Sequence, residues 1–168
     1  MTTALATGSI IVRPLRVEEL PRCVEGAEGF HREFGLPGRL VPAVFLRNWT
    51  TFLTTMTATV LTAWRDGTLL GGLGALVHPD LSDGRIVATE MFWYVLPDAR
   101  GSMAGIRLLK AFIAWGEAHA VETRLSHMLG GPHDVQLDTL YRKLGYRPLE
   151  MGYYRSRRSL PCQSLPQQ

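Results

Sequence analysis

The sequence predicts an α/β (α+β) fold in which a mixed sheet is covered by helices. Three features lead to this prediction: a hairpin turn at Asp66-Gly67 between two β-prone runs, an amphipathic helix at Met103–Ala118, and β-prone runs on both sides of that helix. A two-residue hairpin joins antiparallel strands, whereas a strand-helix-strand crossover joins parallel ones. Both kinds of pairing are therefore expected in one sheet.

Composition places the chain among ordinary soluble domains. Of its 168 residues, 46% are hydrophobic and 20% are charged, and a chain of this length builds one substantial core. We expect one domain over residues 1–158 and a disordered tail over residues 159–168. No apolar run approaches the ~18 residues of a membrane helix, and Met1–Ser9 lacks the basic and apolar segments of a signal peptide. A cytoplasmic protein without a membrane segment is the expectation.

The charges and cysteines indicate no special partner. The formal net charge is +3, with a basic cluster at Arg155, Arg157 and Arg158. A solvated basic tail is the favoured interpretation of that cluster, and a nucleic-acid contact is the alternative. Cys23 and Cys162 lie near opposite ends of the chain, so neither a disulfide nor a metal site is expected from them.

The first half of the chain predicts a strand, two helices and a hairpin. The opening run is short and β-branched, as strands are. The first helix has acidic residues and a proline in its early turns, and the second repeats large apolar residues at helical spacing. In order, these elements are a strand at Ser9–Leu15, helices at Val17–Phe34 and Val41–Thr55, and hairpin strands at Thr57–Trp64 and Thr68–His78.

The second half predicts alternating strands and helices. A β-branched, aromatic run ends at Pro97, and the helix that follows places Ile106, Leu109 and Ile113 on one face. The last helix has the same apolar spacing and stops at Gly145. In order, these elements are a strand at Arg85–Leu96, a helix at Met103–Ala118, a strand at Val121–Leu129, a helix at Asp134–Leu144, and a closing strand at about Arg147–Arg157.

The turn from Arg100 to Gly105 has the properties of an anion site. Gly101 can adopt backbone angles closed to other residues, and Gly105 leaves room for a group to approach the backbone. The first amides of a helix lack internal partners and carry partial positive charge, to which Arg100 adds a full charge. A phosphate site is predicted; the alternative is a tight turn that needs glycine for its geometry alone. The P-loop and dinucleotide-binding glycine patterns are absent from the turn.

This turn resembles the cofactor motif of the GCN5-related N-acetyltransferase (GNAT) family, which reads Arg or Gln-x-x-Gly-x-Gly or Ala. Met103 stands where the family usually has its first glycine. The resemblance extends to segments near both ends of the chain. Two further stretches are similar to bacteriophage-type members. The matching segments are Arg100-Gly101-Ser102-Met103-Ala104-Gly105, Ile11-Val12-Arg13-Pro14 with Glu19-Leu20-Pro21, Leu140-Tyr141-Arg142-Lys143-Leu144-Gly145-Tyr146, Met91–Tyr94 and Arg107–Lys110.

The resemblance implies a fold, a reaction and a cosubstrate site. The fold would be a mixed, mostly antiparallel central sheet of six to seven strands flanked by about four helices. The reaction would move an acetyl group from acetyl-CoA to a primary amine by direct attack in a ternary complex, without a metal. The cofactor-binding residues so implied are Val95, Leu96, Arg100, Gly101, Ser102, Met103, Ala104 and Gly105.

Two side chains are the candidates for proton transfer. Alkyl amines have a pKa of ~10, so a group or water must remove a proton before the amine attacks. Glu90 interrupts an apolar strand and, by the resemblance, orders a water or acts as the base; an edge or solvent-facing carboxylate on a half-exposed strand is the alternative. Tyr141 matches the family tyrosine that protonates the departing thiolate, and plain core packing is its alternative.

The acceptor is expected to be a small-molecule or protein amine. It would enter between the first two helices and the hairpin, where apolar walls are supplied by Phe30, Phe34, Phe45 and Trp49. Nucleic acid is not the expected partner, although aminoacyl-tRNA remains an alternative acceptor, and the resemblance allows a homodimer. The competing function is a non-catalytic module that binds acyl-CoA or a protein, for which Met103 is the main argument.

Overall fold

The computed structural model describes residues 8–55, 58–128, 131 and 133–152. Their strands form one sheet in the order β1-β2-β3-β4-β5. The first four strands pair antiparallel, and β4 pairs with β5 in parallel. The elements are β1 Ile11–Pro14, a 3-10 helix Val17–Cys23, α1 Val24–Glu33, α2 Pro42–Thr54, β2 Ala58–Arg65, β3 Thr68–Pro79, β4 Ile86–Val95, a 3-10 turn Pro97–Ala99, α3 Ala104–His119, β5 Glu122–Arg124 and α4 Asp134–Lys143.

The predicted fold class is confirmed: a mixed, mostly antiparallel sheet is flanked by four α-helices within the described residues. The strand count differs, because five strands are formed there rather than six to seven. The predicted closing strand is wrong over residues 147–152, which form no strand. Pro148 has no amide to donate to a ladder, and Leu149 is 71% exposed. Residues 153–157 of that strand and the predicted tail lie outside the described residues.

Two further elements differ from their predictions for local reasons. The first predicted helix is divided into the 3-10 helix, which contains Pro21, and α1; a proline cannot donate the helical hydrogen bond. The fifth strand stops at Arg124. The Ser126 amide donates instead to the Glu90 carboxylate, at 3.1 Å. The hairpin prediction is confirmed: Asp66 and Gly67 have φ of 49° and 78°, as the favoured two-residue turn requires.

The sheet buries apolar side chains on both faces. Because side chains alternate along a strand, Leu61 of β2 joins a core with Leu108 and Phe112 of α3. Val60, its neighbour in the chain, joins a second core with Trp49 of α2 on the opposite face. Helices α2 and α3 therefore cover different sides of the sheet. None of the helices within the described ranges has the length and apolar character needed to cross a membrane.

Candidate active site

The site begins where two parallel strands separate. β4 pairs with β5 only from Val87 to Thr89. On its other side, β4 has a register shift against β3, so that Met91 is an extra residue in a bulge, and bulges bend a strand and increase its twist. From Glu90 to Val95, β4 therefore has no strand beside it on the β5 side among the described residues.

A cleft of about 640 Å³ follows this open edge of β4. It extends from Glu90 to Gly101 and Gly105 at the start of α3, and its other wall includes Ser126 and α4 residue Leu137. The volume lies within the ~300–1,000 Å³ range of ligand pockets in proteins. The open edge of β4, the start of α3, and the predicted site residues Glu90 and Arg100 therefore line the same cleft.

The start of α3 presents unpaired backbone donors. Gly101 has φ of 77°, in the left-handed region that favours glycine. The amides of Gly101, Met103, Gly105 and Ile106 make no hydrogen bond within the described part of the chain, as expected for the first turn of a helix. Unpaired amides and the positive end of a helix dipole favour an anionic group at this position.

The cosubstrate residues expected from the sequence do not all face this cleft. Those that line it are Val95, Arg100, Gly101, Ser102 and Gly105. Leu96 lines a different cavity, and Ala104 is fully buried. Met103 is 55% exposed and has φ of −77°, so its position has no conformational need for glycine. Backbone geometry at Met103 therefore does not distort the turn.

Arg100 is held by a residue that sequence reasoning missed. Its guanidinium donates to the Glu33 carboxylate of α1 at 2.9 Å and 2.5 Å, and its Nε donates to the Val95 carbonyl at 3.2 Å. The Tyr94 hydroxyl also donates to Glu33, at 3.0 Å. The hydrogen bond from Arg100 lowers the pKa of Glu33, and the pKa of Arg100 is raised in turn. No local pattern connects residues so far apart in the chain.

Glu90 is a buried carboxylate inside the cleft wall. It is 6% exposed, so the alternative of a solvent-facing carboxylate is wrong. It accepts hydrogen bonds from the Ser126 amide at 3.1 Å and from the Ser126 hydroxyl at 2.8 Å. Burial raises the pKa of Glu90, and the two bonds from Ser126 oppose that rise. A carboxylate with a raised pKa holds protons more readily at neutral pH, as a general base must.

Tyr141 is connected to Glu90 through the same serine. Its hydroxyl donates to the Ser126 carbonyl at 3.0 Å, and the residue is 7% exposed. Burial, with a smaller effect of the Glu90 charge, raises the pKa of Tyr141. Tyr141 lines neither of the two described cavities. Its ring contacts Trp93 and His127, with centroid distances of 6.5 Å and 5.7 Å.

The cleft contains one buried donor without a partner. Trp93 lines the cleft, and its Nε1 is buried and makes no hydrogen bond within the described residues. An unpaired buried donor costs about 1–3 kcal/mol, which a ligand acceptor would offset. His127 and Asp134 also line the cleft, where His127 Nε2 lies 2.7 Å from the Asp134 carboxylate. The described residues contain no group of three or more His, Cys, Asp or Glu side chains placed to hold a metal ion.

A second cavity of about 500 Å³ lies between α1, α2 and the β3–β4 part of the sheet. Of the four aromatic residues expected there, Phe30, Phe45 and Trp49 line it, while Phe34 lines the cleft instead. Residues common to both linings include Met91 of the bulge and Phe92 beside it. The two cavities therefore adjoin at the bulge, next to Glu90.

Comparisons with known proteins agree on one family. A model described as "Acetyltransferase (GNAT) family" matches residues 25–146. No curated protein sequence gives a significant match.

Solved structures with similar folds include three acetyltransferases. One from Trypanosoma brucei has a TM-score of 0.67 at 18% identity, with 88% of this chain and 99% of that chain covered. A ribosomal-protein-alanine N-acetyltransferase from Brucella melitensis biovar Abortus 2308 has a TM-score of 0.65 at 17% identity, covering 89% and 99%. An aminoglycoside acetyltransferase from an uncultured soil metagenomic sample, in complex with sisomicin, has a TM-score of 0.69 at 16% identity, covering 89% and 97%. At these identities the likeness concerns the fold.

Proposed function

The chain belongs to the acetyltransferase (GNAT) family, and we propose that it is an N-acetyltransferase that moves an acetyl group from acetyl-CoA to a primary amine in a ternary complex. This proposal rests on one observation: the cleft and the second cavity meet at the β4 bulge. One cavity runs from the free amides of α3 to buried Glu90, and the other opens between α1 and α2. A donor and an acceptor in these cavities would meet beside a candidate base.

The residues of the cleft fit the donor. The unpaired amides of Gly101, Met103, Gly105 and Ile106 would bind the diphosphate of acetyl-CoA. The open edge of β4 up to Val95 would pair with the amide groups of the pantetheine arm, since extended backbone donors and acceptors there lack a strand partner. When bound, acetyl-CoA supplies the thioester carbonyl that the amine attacks.

Glu90 is the proposed base and Tyr141 the proposed acid. Glu90 takes a proton from the amine, directly or through a water, as the new N–C bond forms and the C–S bond breaks. Tyr141 gives its hydroxyl proton to the departing sulfur. Because its hydroxyl donates to the Ser126 carbonyl, this role requires the hydroxyl to exchange that acceptor for sulfur. Protonated Glu90 then gives its proton, through water, to the Tyr141 phenolate, whose raised pKa favours this return. Both groups are restored, and the net transfer of the proton is from the amine to the thiol.

A non-catalytic module that binds acyl-CoA is the second candidate. It is favoured by the position of Tyr141, which lies outside the cleft lining, and by Met103 at the usual glycine position of the motif. In this function the same amides of α3 would hold the diphosphate, and no acceptor would react.

Calorimetry with CoA and a thiol-release assay with acetyl-CoA separate the two candidates. The assay uses the full chain and a panel of primary amines. We expect CoA binding together with amine-dependent thiol release, and the N-acetyl product identified by mass spectrometry. Binding without amine-dependent release would favour the module, whereas no uptake of CoA would contradict both.

A further inference from the structure

The second cavity has an apolar, aromatic wall. Phe30, Phe45, Trp49 and Phe92 line it. Trp49 packs edge-on against Phe92, with a centroid distance of 5.1 Å and an interplanar angle of 87°. Packed aromatic rings form a firm surface that favours another flat or branched apolar group. The cavity is therefore suited to burying the body of a small apolar molecule.

The lining of this cavity has a positively charged side chain and no negatively charged one among the described residues. Its lining contains no aspartate or glutamate among the residues that the structure describes. Arg39 lines it and forms no ion pair within those residues. A cation that enters such a cavity loses water without gaining a carboxylate from the lining, and Arg39 adds a like charge at the cavity's exposed side. Amines with several positive charges are disfavoured on both counts.

The position of the reacting nitrogen follows from the same geometry. Glu90 lines the neighbouring cleft beside the Met91 bulge, where the two cavities adjoin. An amine that points toward the bulge leaves its body against Phe45 and Trp49. The cavity thus suits an acceptor with one amine at one end and an apolar group at the other.

We propose that the acceptor is a small monoamine with an aromatic or branched aliphatic body and no second positive charge. The inference rests on the proposed function for the transfer step, whereas the selectivity of binding stands on the cavity alone. It distinguishes this chain from proteins that act on polycationic amines.

The test compares phenethylamine with spermidine and with ethylamine. The full chain is assayed for acetyl transfer, and binding of each amine is measured by calorimetry in the presence of CoA. We expect kcat/KM for phenethylamine to exceed that for either of the others by at least about tenfold, because even one methylene in an apolar pocket discriminates by about 10–200-fold. By calorimetry, phenethylamine should also bind more tightly than spermidine or ethylamine.

A pair of charge variants tests the electrostatic part. Val44 lines the cavity in the first turn of α2 and is 41% exposed. Val135, in the first turn of α4, is 76% exposed and lines neither cavity. Val44→Asp should strengthen spermidine binding and weaken selectivity for phenethylamine by about tenfold or more. Val135→Asp makes the same change in the first turn of another helix and should leave selectivity unchanged.

The two readouts separate this inference from the proposed function. Transfer that prefers spermidine would leave the acetyltransferase in place and overturn the monoamine proposal. If no amine is acetylated, preferential binding of phenethylamine that Val44→Asp diminishes still supports the proposal. Equal binding of the three amines, or none, overturns it.

Discussion

At the scale of single residues, Ser126 determines the surroundings of both candidate catalytic groups. Its amide and hydroxyl donate to Glu90, and its carbonyl accepts from the Tyr141 hydroxyl. Ser126 thus holds both the buried Glu90 carboxylate and the buried Tyr141 phenol by hydrogen bonds. Each group has a raised pKa from burial, so both hold their protons more tightly in the folded chain than in water.

Replacing Glu90 with glutamine should separate catalysis from stability. Loss of the base should lower kcat by about 10²–10⁴-fold. Because the folded pKa of Glu90 is raised, its stabilising contribution is present below the unfolded pKa of ~4.3 and is lost as pH rises through the folded pKa. Glu90→Gln should therefore gain stability relative to wild type as pH rises above the unfolded pKa, measured by urea unfolding.

Glu117→Gln is the control for that experiment, since Glu117 is exposed on α3. We expect no change in rate for it. A wild-type protein that gains stability over Glu90→Gln as pH rises would show that the folded state stabilises the ionised carboxylate, contrary to the burial argument.

Tyr141 and Tyr146 offer a matched pair of phenols. Tyr146 shares a 2.8 Å hydrogen bond with the Thr123 hydroxyl, and Tyr141 donates one of 3.0 Å to the Ser126 carbonyl. Each Tyr→Phe change should cost about 0.5–1.5 kcal/mol of unfolding free energy. Tyr141→Phe alone should lower kcat, with CoA affinity by calorimetry unchanged. Equal rates in the two variants would remove Tyr141 from the reaction and leave it a packing residue.

At the scale of elements, the Arg100–Glu33 pair connects α1 to the turn before α3. This contact allows two roles for Arg100: a strut that positions α1, or a ligand of the diphosphate. The pair is bidentate, and a phosphate offers oxygens to the same two guanidinium donors. A bound diphosphate would therefore replace Glu33 without leaving Arg100 unpaired.

Variants of the two partners distinguish these roles. If Arg100 binds the diphosphate, Arg100→Gln should weaken CoA binding by about tenfold or more, as expected for the loss of a hydrogen bond to a charged group. Glu33→Gln keeps the guanidinium and should bind CoA at least as tightly as wild type. Calorimetry measures both. Comparable losses of affinity in the two variants would assign Arg100 the role of a strut.

Local chemistry explains which elements the sequence predicted well. The Asp66-Gly67 hairpin and the amphipathic α3 depend on neighbouring residues, and both form within a few residues of their predicted bounds. The fifth strand was predicted too long, because the bond from Ser126 to Glu90 joins residues 36 apart in the chain. For the same reason, composition and periodicity give no sign of Glu33 as the partner of Arg100. The sequence therefore reveals candidate site residues that belong to one local motif, such as Arg100. It does not reveal the residues far along the chain that bind them.

At the scale of the whole molecule, the two cavities adjoin, so the proposed transfer would need no covalent enzyme intermediate. A covalent route would require a nucleophile, and Cys23 is the cysteine within the described residues. It lines the second cavity, but burial raises the pKa of its thiol to about 11. A thiol that stays protonated at neutral pH is a poor nucleophile. Direct attack in a ternary complex is thus the route that the arrangement favours.

Initial-rate kinetics test this route. With acetyl-CoA and phenethylamine varied together, double-reciprocal plots should intersect, because both substrates must be bound before any product leaves. Cys23→Ser, which nearly preserves the side-chain volume, should retain the wild-type kcat, and mass spectrometry after incubation with acetyl-CoA alone should show no acetyl adduct. Parallel lines together with an adduct that disappears in Cys23→Ser would establish a covalent relay instead, since only a stored acetyl group lets the first product leave before the amine binds.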